Sequence, residues 1–521
     1  MPEYLSPGLY IEETDIDPSK KVNTDIAGFL GQTERGPISP KFITSFEEFI
    51  QIFGGFIETS YLAYGVDGFF RNGGRGCYVA RIVGKNTKTS NFSLNAGNKT
   101  INIMAIGPGS WGRRIQFKIN KSRMFNEDTY FRLSVIYYSN KDIHKFNSID
   151  DDTKIENATL YEVYDNLSTN PQNKYFYKNQ INGISNIIQV SDNYSEEHGI
   201  DDLSNLSIEK IENFISLGGE DIDEPITKDD YYGYYDPNNY TYKRGLKALE
   251  DIEEISILTI PDQGNFASDI TDLMISHCEK LKNRFAIIQS KKNDIDNIDN
   301  PNLILGKQNS KYSAIYFPWF FVDDPITKYK KLVPPGGHIA GIYARTDIER
   351  GVHKAPENES IRGIVSLQAN MDKEKQEILN LKGLNVIRSF SGRGPILWGA
   401  RTTSKDHMWK YVNVRRLFIF IEKSVERLVQ WTVFGPNNER LWSRIKATLT
   451  QFLTTVWKTG ALMGTTREEV FFVKCDKTTM TQDDIDNGRL IVVIGIAPTK
   501  PAEFVIFRLT QTLACSEVEE S

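Results

Sequence analysis

Three arginines lie in a short stretch of chain that also contains glycines, a combination found where proteins bind phosphate. Arg388, Arg393 and Arg401 could supply guanidinium groups, which match phosphate oxygens in charge and geometry. However, the segment Ser391-Gly392-Arg393-Gly394-Pro395 lacks the spacing of glycines, lysine and hydroxyl residue that lets a loop surround a phosphate. We therefore expect structural arginines, and a cytosolic phosphate-binding enzyme is the alternative.

Other residue types that catalyse reactions or bind metals lack the partners they need. His338 and His353 have no motif of nucleophile, base or second ligand around them. Asp483, Asp484 and Asp486 lack the spacing of a calcium-binding loop. We predict that the chain is not an enzyme and that it has no catalytic residue, no cofactor and no metal site.

The four cysteines, Cys77, Cys278, Cys475 and Cys515, are scattered and form no CxxC pair. Isolated cysteines are typical of proteins in a reducing compartment, where thiols stay free. The N-terminal sequence has no basic segment followed by an apolar one, so we expect no export signal. No apolar run is long enough to span a membrane, and we predict no direct membrane insertion.

Composition limits the class of protein further. The chain has 521 residues, 40% of them hydrophobic and 25% charged, and a formal net charge of −6. These values are typical of a globular protein with about two to four domains. Nucleic-acid-binding proteins usually carry an excess of positive charge, so we predict no nucleic-acid partner.

Residues 1–22 have the pattern of an extended arm. Prolines isolate a short segment in which Leu9 and Ile11 alternate with Tyr10 and Glu12, and this period of two is typical of a β-strand. No second strand lies nearby in the sequence to form a hairpin. The strand must therefore pair with a distant segment, either in this chain or in another.

The rest of the chain predicts a multi-domain α/β (α+β) fold. Short apolar strands alternate with helical segments in residues 23–85 and again in 246–380, which we assign to one α/β middle domain. Residues 86–245 are rich in Asn, Asp, Ser and Tyr, and their short strand-like segments predict a mostly β inserted surface domain. Residues 381–500 are assigned to a C-terminal α/β domain, and 501–521 to a second arm.

Two long amphipathic helices dominate the C-terminal domain, since apolar residues recur along both at steps of three and four. The first helix has this pattern at Val414, Leu417, Phe418, Ile421, Val425 and Leu428. The second has it at Leu441, Ile445, Leu449, Phe452 and Val456. A last strand, predicted from Glu503 to Leu509, follows two prolines and again has no local partner.

Short segments in a fixed order along the chain match one known family. They are Ser6–Glu13, Gly107–Gly112, Ile315–Trp319, Val333–Gly341, Ala344–Asp347, Gly351–Pro356, Leu384–Arg388, Trp398–Thr402, Tyr411–Arg416, Phe434–Asn438, Asp484–Leu490 and Pro501–Ile506. Taken together, they resemble the contractile tail sheath proteins of phages, R-type bacteriocins and extracellular injection systems. The resemblance covers about residues 1–120 and 250–513.

This resemblance implies subunits that polymerise helically, as stacked rings, around an inner tube. It also implies strand exchange, in which the N-terminal arm of one subunit and the C-terminal arm of another pair with the C-terminal domain of a third. The alternative is that both arms fold back into their own domain. The predicted donated residues are Leu9, Tyr10, Ile11, Glu12, Phe504, Val505, Ile506 and Phe507.

The function implied is that of a structural subunit of a contractile sheath, which drives the tube through a target envelope. The implied partners are the protein itself, the inner tube protein, and baseplate and cap or terminator proteins. Assembly in the bacterial cytoplasm would precede incorporation into a phage tail or an injection particle. A static tail-tube or baseplate structural protein is the other non-enzymatic candidate.

Basic side chains on the two long helices are candidates for contact with the inner tube. Exposed ion pairs contribute little each, so such a contact could hold register and still release during sliding. The alternative is an ordinary solvated helix face. The candidate residues are Lys423, Arg427, Arg440, Arg444 and Lys458.

Overall fold

A computed structural model describes most of the chain. The described ranges are 22–96, 99–125, 130–139, 151–192, 210–219, 223–236, 239–265, 269–433 and 435–503. Within them the protein is a multi-domain α/β structure with three large hydrophobic cores. No helix among these ranges has the length and apolar character needed to cross a membrane.

The first segment contributes three strands and two helices to the middle domain. Ser45 begins the first helix by accepting a hydrogen bond at its side chain from the backbone N–H of Glu48, at 3.1 Å. The elements are β1 (Ala27–Gly31), β2 (Lys41–Ile43), α1 (Phe46–Phe53), α2 (Leu62–Arg71) and β3 (Cys77–Arg81).

The inserted segment is mostly β and has its own core. That core includes Trp111, Phe117 and Val135, which are buried between two small sheets. The elements are β4 (Asn91–Ala96), β5 (Lys99–Ala105), β6 (Ile115–Lys121), β7 (Tyr130–Tyr137), α3 (Asp151–Glu156), β8 (Leu160–Ser168), α4 (Tyr177–Ile181), β9 (Ile188–Asp192), β10 (Ile211–Ser216), α5 (Lys228–Tyr232), β11 (Tyr235–Asp236) and β12 (Asn239–Lys243).

The chain then returns to the middle domain. The elements of this return are α6 (Gly245–Ala248), β13 (Ile257–Thr259), α7 (Asp269–Leu281), β14 (Phe285–Gln289), α8 (Pro301–Leu305), β15 (Ser313–Phe317), β16 (Phe320–Asp323), β17 (Lys330–Val333), α9 (Gly336–Arg350), β18 (Glu359–Ser360), β19 (Ser366–Leu367), α10 (Lys373–Leu381), β20 (Leu384–Phe390) and β21 (Gly394–Trp398). Burial on both faces explains why the central strands are apolar without alternation.

One nine-stranded sheet unites the two halves of the middle domain, in the order β18-β21-β20-β15-β14-β13-β1-β3-β2. Neighbouring strands from β20 to β3 are parallel, whereas the marginal pairs β20–β21, β21–β18 and β3–β2 are antiparallel. Because β20 pairs with β15, the sheet continues past residue 380. The predicted domain boundary between residues 380 and 381 therefore falls within the segment that forms this sheet. The last strand of the sheet in chain order ends at Trp398.

Helices α2 and α9 cross at unusually close range through glycines. A Cβ atom at Gly337 would lie 2.3 Å from the Cα atom of Gly65, and one at Gly341 would lie 2.4 Å from the carbonyl oxygen of Phe69. Side chains at these positions would therefore push the helices apart. The glycines fix α9 against the sheet and place its C-terminal end beside the next domain.

The C-terminal domain is built on the two predicted long helices. Its elements are α11 (Val412–Val429), α12 (Glu439–Lys458), α13 (Arg467–Val470), β22 (Phe471–Lys474), α14 (Gln482–Asp486) and β23 (Val493–Ile496). Helix α11 lies between two cores, because Val412 and Ile419 pack into the middle-domain core, whereas Leu417 and Ile421 pack into the C-terminal core.

Candidate assembly site

The first described residues, 22–26, are held by side chains of other elements, and we call them the N-terminal root. Val22 is buried. The carbonyl oxygen of Asn23 accepts a hydrogen bond from the Ser256 hydroxyl at 2.7 Å, and that of Thr24 accepts one from Arg416 at 2.7 Å. Residues 1–21 are therefore attached to the folded protein at a fixed position beside α11.

Arg416 is itself fixed by a buried ion pair with Asp347 on α9. Two hydrogen bonds of 2.8 and 2.7 Å join the guanidinium to the carboxylate, and the side chains are only 4% and 2% exposed. The guanidinium also lies over the Tyr343 ring, 4.9 Å from its centroid. Since loss of one partner would leave the other charge buried and unpaired, the pair constrains both helices at the N-terminal root.

The last described residues, 499–503, are held in a similar way, and we call them the C-terminal root. Glu503 accepts two hydrogen bonds of 2.6 Å from Arg401, one of 3.0 Å from Lys410 and one of 3.1 Å from the Tyr411 hydroxyl. Burial opposes ionisation of the carboxyl, but the bonds from Arg401 and Lys410 outweigh it and lower the pKa of Glu503. A charged Glu503 therefore anchors the chain where it enters residues 504–521.

Asn413 connects the C-terminal root to the start of α11. Its Nδ2 atom donates to the carbonyl oxygens of Thr499 at 3.2 Å and His353 at 2.8 Å. Asn413 is 2% exposed, so the donor side of both bonds lies away from solvent. Both roots are thus in contact with the first turns of the same helix.

Beyond the roots, β22 and β23 form a two-stranded antiparallel ribbon. Phe471 and Val473 point into the C-terminal core, whereas Phe472 and Val493 are 47% and 41% exposed. Within the described part of the chain, no third strand joins this sheet. A two-stranded ribbon offers backbone donors and acceptors at its edges, so it is suited to receive additional strands.

The predicted strand-exchange residues all fall outside the described ranges. These residues are Leu9, Tyr10, Ile11, Glu12, Phe504, Val505, Ile506 and Phe507. Their pairing stays a prediction. What the structure adds is the fixed position of the chain from Val22, ten residues after Glu12, and at Glu503, immediately before the second set.

Lys423 is one of the predicted tube contacts, and in this structure its ammonium group binds backbone of its own chain. The Nζ atom donates to the carbonyl oxygens of Glu253 at 2.8 Å and Ile255 at 3.3 Å. Burial, aided by the charges of Arg284 and Arg427, lowers its pKa to about 7. The amine is thus bound within its own chain in this subunit, and its contact with a tube stays a prediction.

The four other basic residues keep their side chains nearer to solvent. Arg427 on α11 and Arg440 and Lys458 on α12 are exposed. Arg444 is also exposed, and its guanidinium stacks on the Trp431 ring at 4.3 Å from the centroid. Their contact with a tube stays a prediction.

The three arginines considered for phosphate binding each have protein acceptors. Arg388 donates to the carbonyl oxygen of Met371 at 3.1 Å, and Arg393 donates to Asn358 at 2.8 Å. Arg401 is bound to Glu503. These guanidinium groups are therefore used separately within the fold, as structural arginines are.

Sequence reasoning identified the segment containing Asn413 and Arg416 only as part of a family resemblance and missed their contacts. One signal was available. Polar residues interrupt the apolar pattern in the first turns of a strongly amphipathic helix, where Val412 to Leu417 are all buried. Polar side chains that are buried must find hydrogen-bond partners, so this stretch was a candidate for binding backbone from elsewhere.

Two family models match the chain. The model of the phage tail sheath protein central domain matches residues 226–403, and that of the phage tail sheath C-terminal domain matches residues 404–512. The boundary between them lies just after β21, where the nine-stranded sheet ends. Together the two models cover more than half of the chain.

Individual proteins that are similar to this chain are named tail sheath proteins. The tail sheath protein of Vibrio phage KVP40 is 25% identical over 43% of this chain and 32% of its own length. That of Burkholderia phage BcepMu is 29% identical over 36% of this chain and 40% of its own length. The chain therefore matches only about a third of the length of the first of these relatives.

Solved structures share the fold over nearly the whole chain. The sheath of the anti-feeding prophage in its contracted state covers 97% of this chain with a TM-score of 0.56 and 23% identity. The PVC sheath complex of an extracellular contractile injection system, also contracted, covers 98% with a TM-score of 0.56 and 21% identity. A sheath tail protein from Listeria innocua covers 91% with a TM-score of 0.59 and 12% identity. With the two family models, this fold places the chain in the contractile tail sheath protein family.

Proposed function

We propose that this protein is the structural subunit of a contractile sheath, which polymerises helically around an inner tube and drives the tube through a target envelope. The observation that carries the proposal is the position of the N-terminal and C-terminal roots. Each root is fixed beside α11, and the chain then continues for 21 residues at one end and 18 at the other. Fully extended, arms of this length could reach several tens of ångströms.

The exchanged strands would complete the β22–β23 ribbon of other copies. Leu9 to Glu12 would supply one strand and Phe504 to Phe507 the other. Adding a strand to a sheet edge satisfies backbone groups that otherwise face water, and alternate side chains then cover exposed apolar residues such as Phe472. Because each subunit both donates and receives, the contacts are heterologous and generate a filament.

Contraction in this proposal needs no nucleotide and no enzymatic step. The extended lattice stores free energy, and subunits rotate and repack while the arms keep them connected. Two packings of one assembly can differ by roughly a few kcal/mol per subunit. Summed over many copies, that difference drives the tube, and the buried anchors at both roots prevent the arms from pulling free.

The proposed partners beyond the sheath itself are the inner tube, the baseplate and cap or terminator proteins. The exposed residues Arg427, Arg440, Arg444 and Lys458 are the proposed tube contacts, with Lys423 left out because its amine is bound internally. Assembly is proposed in the bacterial cytoplasm, followed by incorporation into a phage tail or an injection particle.

Electron microscopy of purified protein tests the proposal. Wild-type protein should form long, wide, hollow cylinders, whereas a static tube or baseplate protein should form narrow tubes or small closed particles. Deletion of residues 1–15 should leave folded monomers that form no sheath. Normal contractile sheaths from this deletion would refute strand exchange.

A point substitution gives a sharper version of this test. Ile11→Pro removes one backbone N–H from the proposed donated strand, whereas the matched control Ile11→Val keeps the N–H and a strand-forming side chain. We expect cylinders from the control and none from Ile11→Pro. Equal assembly by both variants would show that the backbone of this segment forms no essential strand.

A further inference from the structure

We infer that the first turns of α11 couple the N-terminal root to the C-terminal root within one subunit, with Asn413 and Arg416 as positioning residues. A displacement of one arm root is then passed to the other root instead of being absorbed locally. The inference rests on the proposed sheath function and deepens it. It makes each subunit a continuous link between the neighbour that receives one arm and the neighbour that receives the other.

The contacts form a short and entirely described path. Arg416 donates to the carbonyl oxygen of Thr24 at the N-terminal root, at 2.7 Å. Three residues earlier on the same helix, Asn413 donates to the carbonyl oxygen of Thr499 at the C-terminal root, at 3.2 Å. Residues three apart on a helix lie on neighbouring parts of its surface, so less than one helical turn separates the two bonds.

Helix α9 and the turn that follows it strengthen this path. Asp347 in the last turns of α9 binds Arg416 with two hydrogen bonds, and the carbonyl oxygen of His353, just beyond α9, accepts from Asn413 at 2.8 Å. Each positioning residue therefore holds one root and one part of the α9 end. The two residues cannot shift independently without breaking a buried polar contact.

Burial makes the path stiff. Asn413 and Arg416 are 2% and 4% exposed, so water cannot readily replace a lost partner. The helix that carries them packs into the middle-domain core through Val412 and into the C-terminal core through Leu417. Tilting the first turns would disturb both cores, and a rigid helix passes the movement on.

Hydrogen exchange of the isolated full-length subunit, followed by mass spectrometry, tests this coupling. The amides of Ser256 and Ile257 both donate to the carbonyl oxygen of Ile26 and report on the N-terminal root. The amide of Thr499 donates to the carbonyl oxygen of Ala461 and reports on the C-terminal root. Because monomers are measured, the result does not depend on whether sheaths form, which electron microscopy assesses separately.

Two variants each disturb one root. Ser256→Ala removes the hydroxyl that binds Asn23, and Glu503→Gln removes the charge that Arg401 and Lys410 hold. We expect each variant to speed exchange at the opposite root by about fivefold or more, the lower end of coupling between two sites in one protein. A change confined to the disturbed root, or no change at either root, would overturn the inference.

A third variant interrupts the path itself. In an Asn413→Ala background, Ser256→Ala should no longer speed exchange at Thr499, whereas simple additive destabilisation predicts the same factor as in the wild type. Ile445→Val, in the core of the C-terminal domain, is the control for general loss of stability and should leave the cross-effect intact. Persistence of the cross-effect without Asn413 would show that the coupling follows another route and would reject the positioning role.

Discussion

Arg401 and Glu503 lie 102 residues apart in the sequence and are joined by two hydrogen bonds of 2.6 Å. Arg401 follows the last strand of the nine-stranded sheet, and Glu503 is the last residue that the structure describes. The pair therefore ties the C-terminal root to the middle domain and not only to the domain it leaves. A force applied to an arm anchored in this way is transmitted to the domain that contains the largest hydrophobic core.

Removing this anchor should measurably weaken the subunit. Both side chains are nearly buried, at 8% and 11% exposure, and hydrogen bonds between charged groups contribute about 1.5–3 kcal/mol. We expect Arg401→Met to lower the free energy of unfolding by about that amount in urea denaturation. The control Arg427→Met, at an exposed position, should stay within about 0.5 kcal/mol of the wild type. Equal values for the two variants would show that the anchor contributes nothing.

The anchor should also depend on pH in a defined direction. The pKa of Glu503 is lowered, because bonds from Arg401 and Lys410 outweigh the effect of burial. A carboxyl with a lowered folded-state pKa stabilises the fold above its ordinary pKa of about 4.3, and this contribution is lost as pH falls through the folded-state value. The stability difference between wild type and Glu503→Gln should therefore be largest near neutral pH and shrink below about pH 4.3. A difference that grows on acidification would contradict the charged anchor.

Lys423 should show a pH dependence of the same sign, but in an alkaline range. Burial lowers its pKa to about 7, so the folded state releases the proton well before the unfolded chain does. Between about pH 7 and pH 10, stability should rise with pH for the wild type relative to Lys423→Met, by at most about 1.4 kcal/mol per pH unit. The control Arg440→Met, at an exposed position on α12, should show no such difference. A flat comparison for Lys423 would mean that its amine is solvated and available for a tube contact after all.

The exposed face of the ribbon gives a prediction about assembly that leaves the fold intact. Val493 lies directly opposite Lys474 in the ribbon and is 41% exposed. Val493→Glu places opposite charges across the strands, which supports the ribbon while removing an apolar contact for an incoming strand. We expect the free energy of unfolding to stay within about 0.5 kcal/mol and cylinders to be lost in electron micrographs.

The matched control at this position is Val493→Thr, which keeps a β-branched side chain suited to strands. This variant should still form cylinders. If Val493→Glu assembles as well as the threonine variant, the exposed ribbon face is not where neighbouring strands bind.

Much of the fold could be predicted from local patterns. The apolar spacing from Val414 to Leu428 predicted a helix that the structure places at Val412–Val429, and the spacing from Leu441 to Val456 predicted one at Glu439–Lys458. These patterns are reliable because a helix that buries one face must repeat its apolar residues every three or four positions. The α/β character of the middle domain was likewise visible in its short apolar strands.

The domain boundary could not be derived in the same way. Strand β20 pairs with β15, from which it is separated by α9 and α10, and nothing local in Leu384–Phe390 specifies that partner. Long-range strand pairing is set by tertiary packing, so the sequence did not show that the sheet continues to Trp398, and the predicted boundary at residue 380 stays a prediction.

The sequence predicted the candidate site only in part, because it does not show in which direction a polar side chain points. Lys423 and Arg427 are four residues apart and both looked like solvated helix positions. In the structure the long apolar stem of Lys423 carries its amine inward to backbone carbonyls, while Arg427 stays exposed. Likewise, Asn413 and Arg416 could be recognised as anchors only once the two roots were placed beside them.

A helical reconstruction of the native cylinder by cryo-electron microscopy, at a resolution that traces the backbone, tests the sheath account most directly. The account predicts that residues 9–12 and 504–507 of each subunit run as strands alongside Phe471–Lys474 or Val493–Ile496 of other copies. Finding both ends paired within their own subunit would contradict it, and the cohesion of the sheath would then have to come from side-chain contacts.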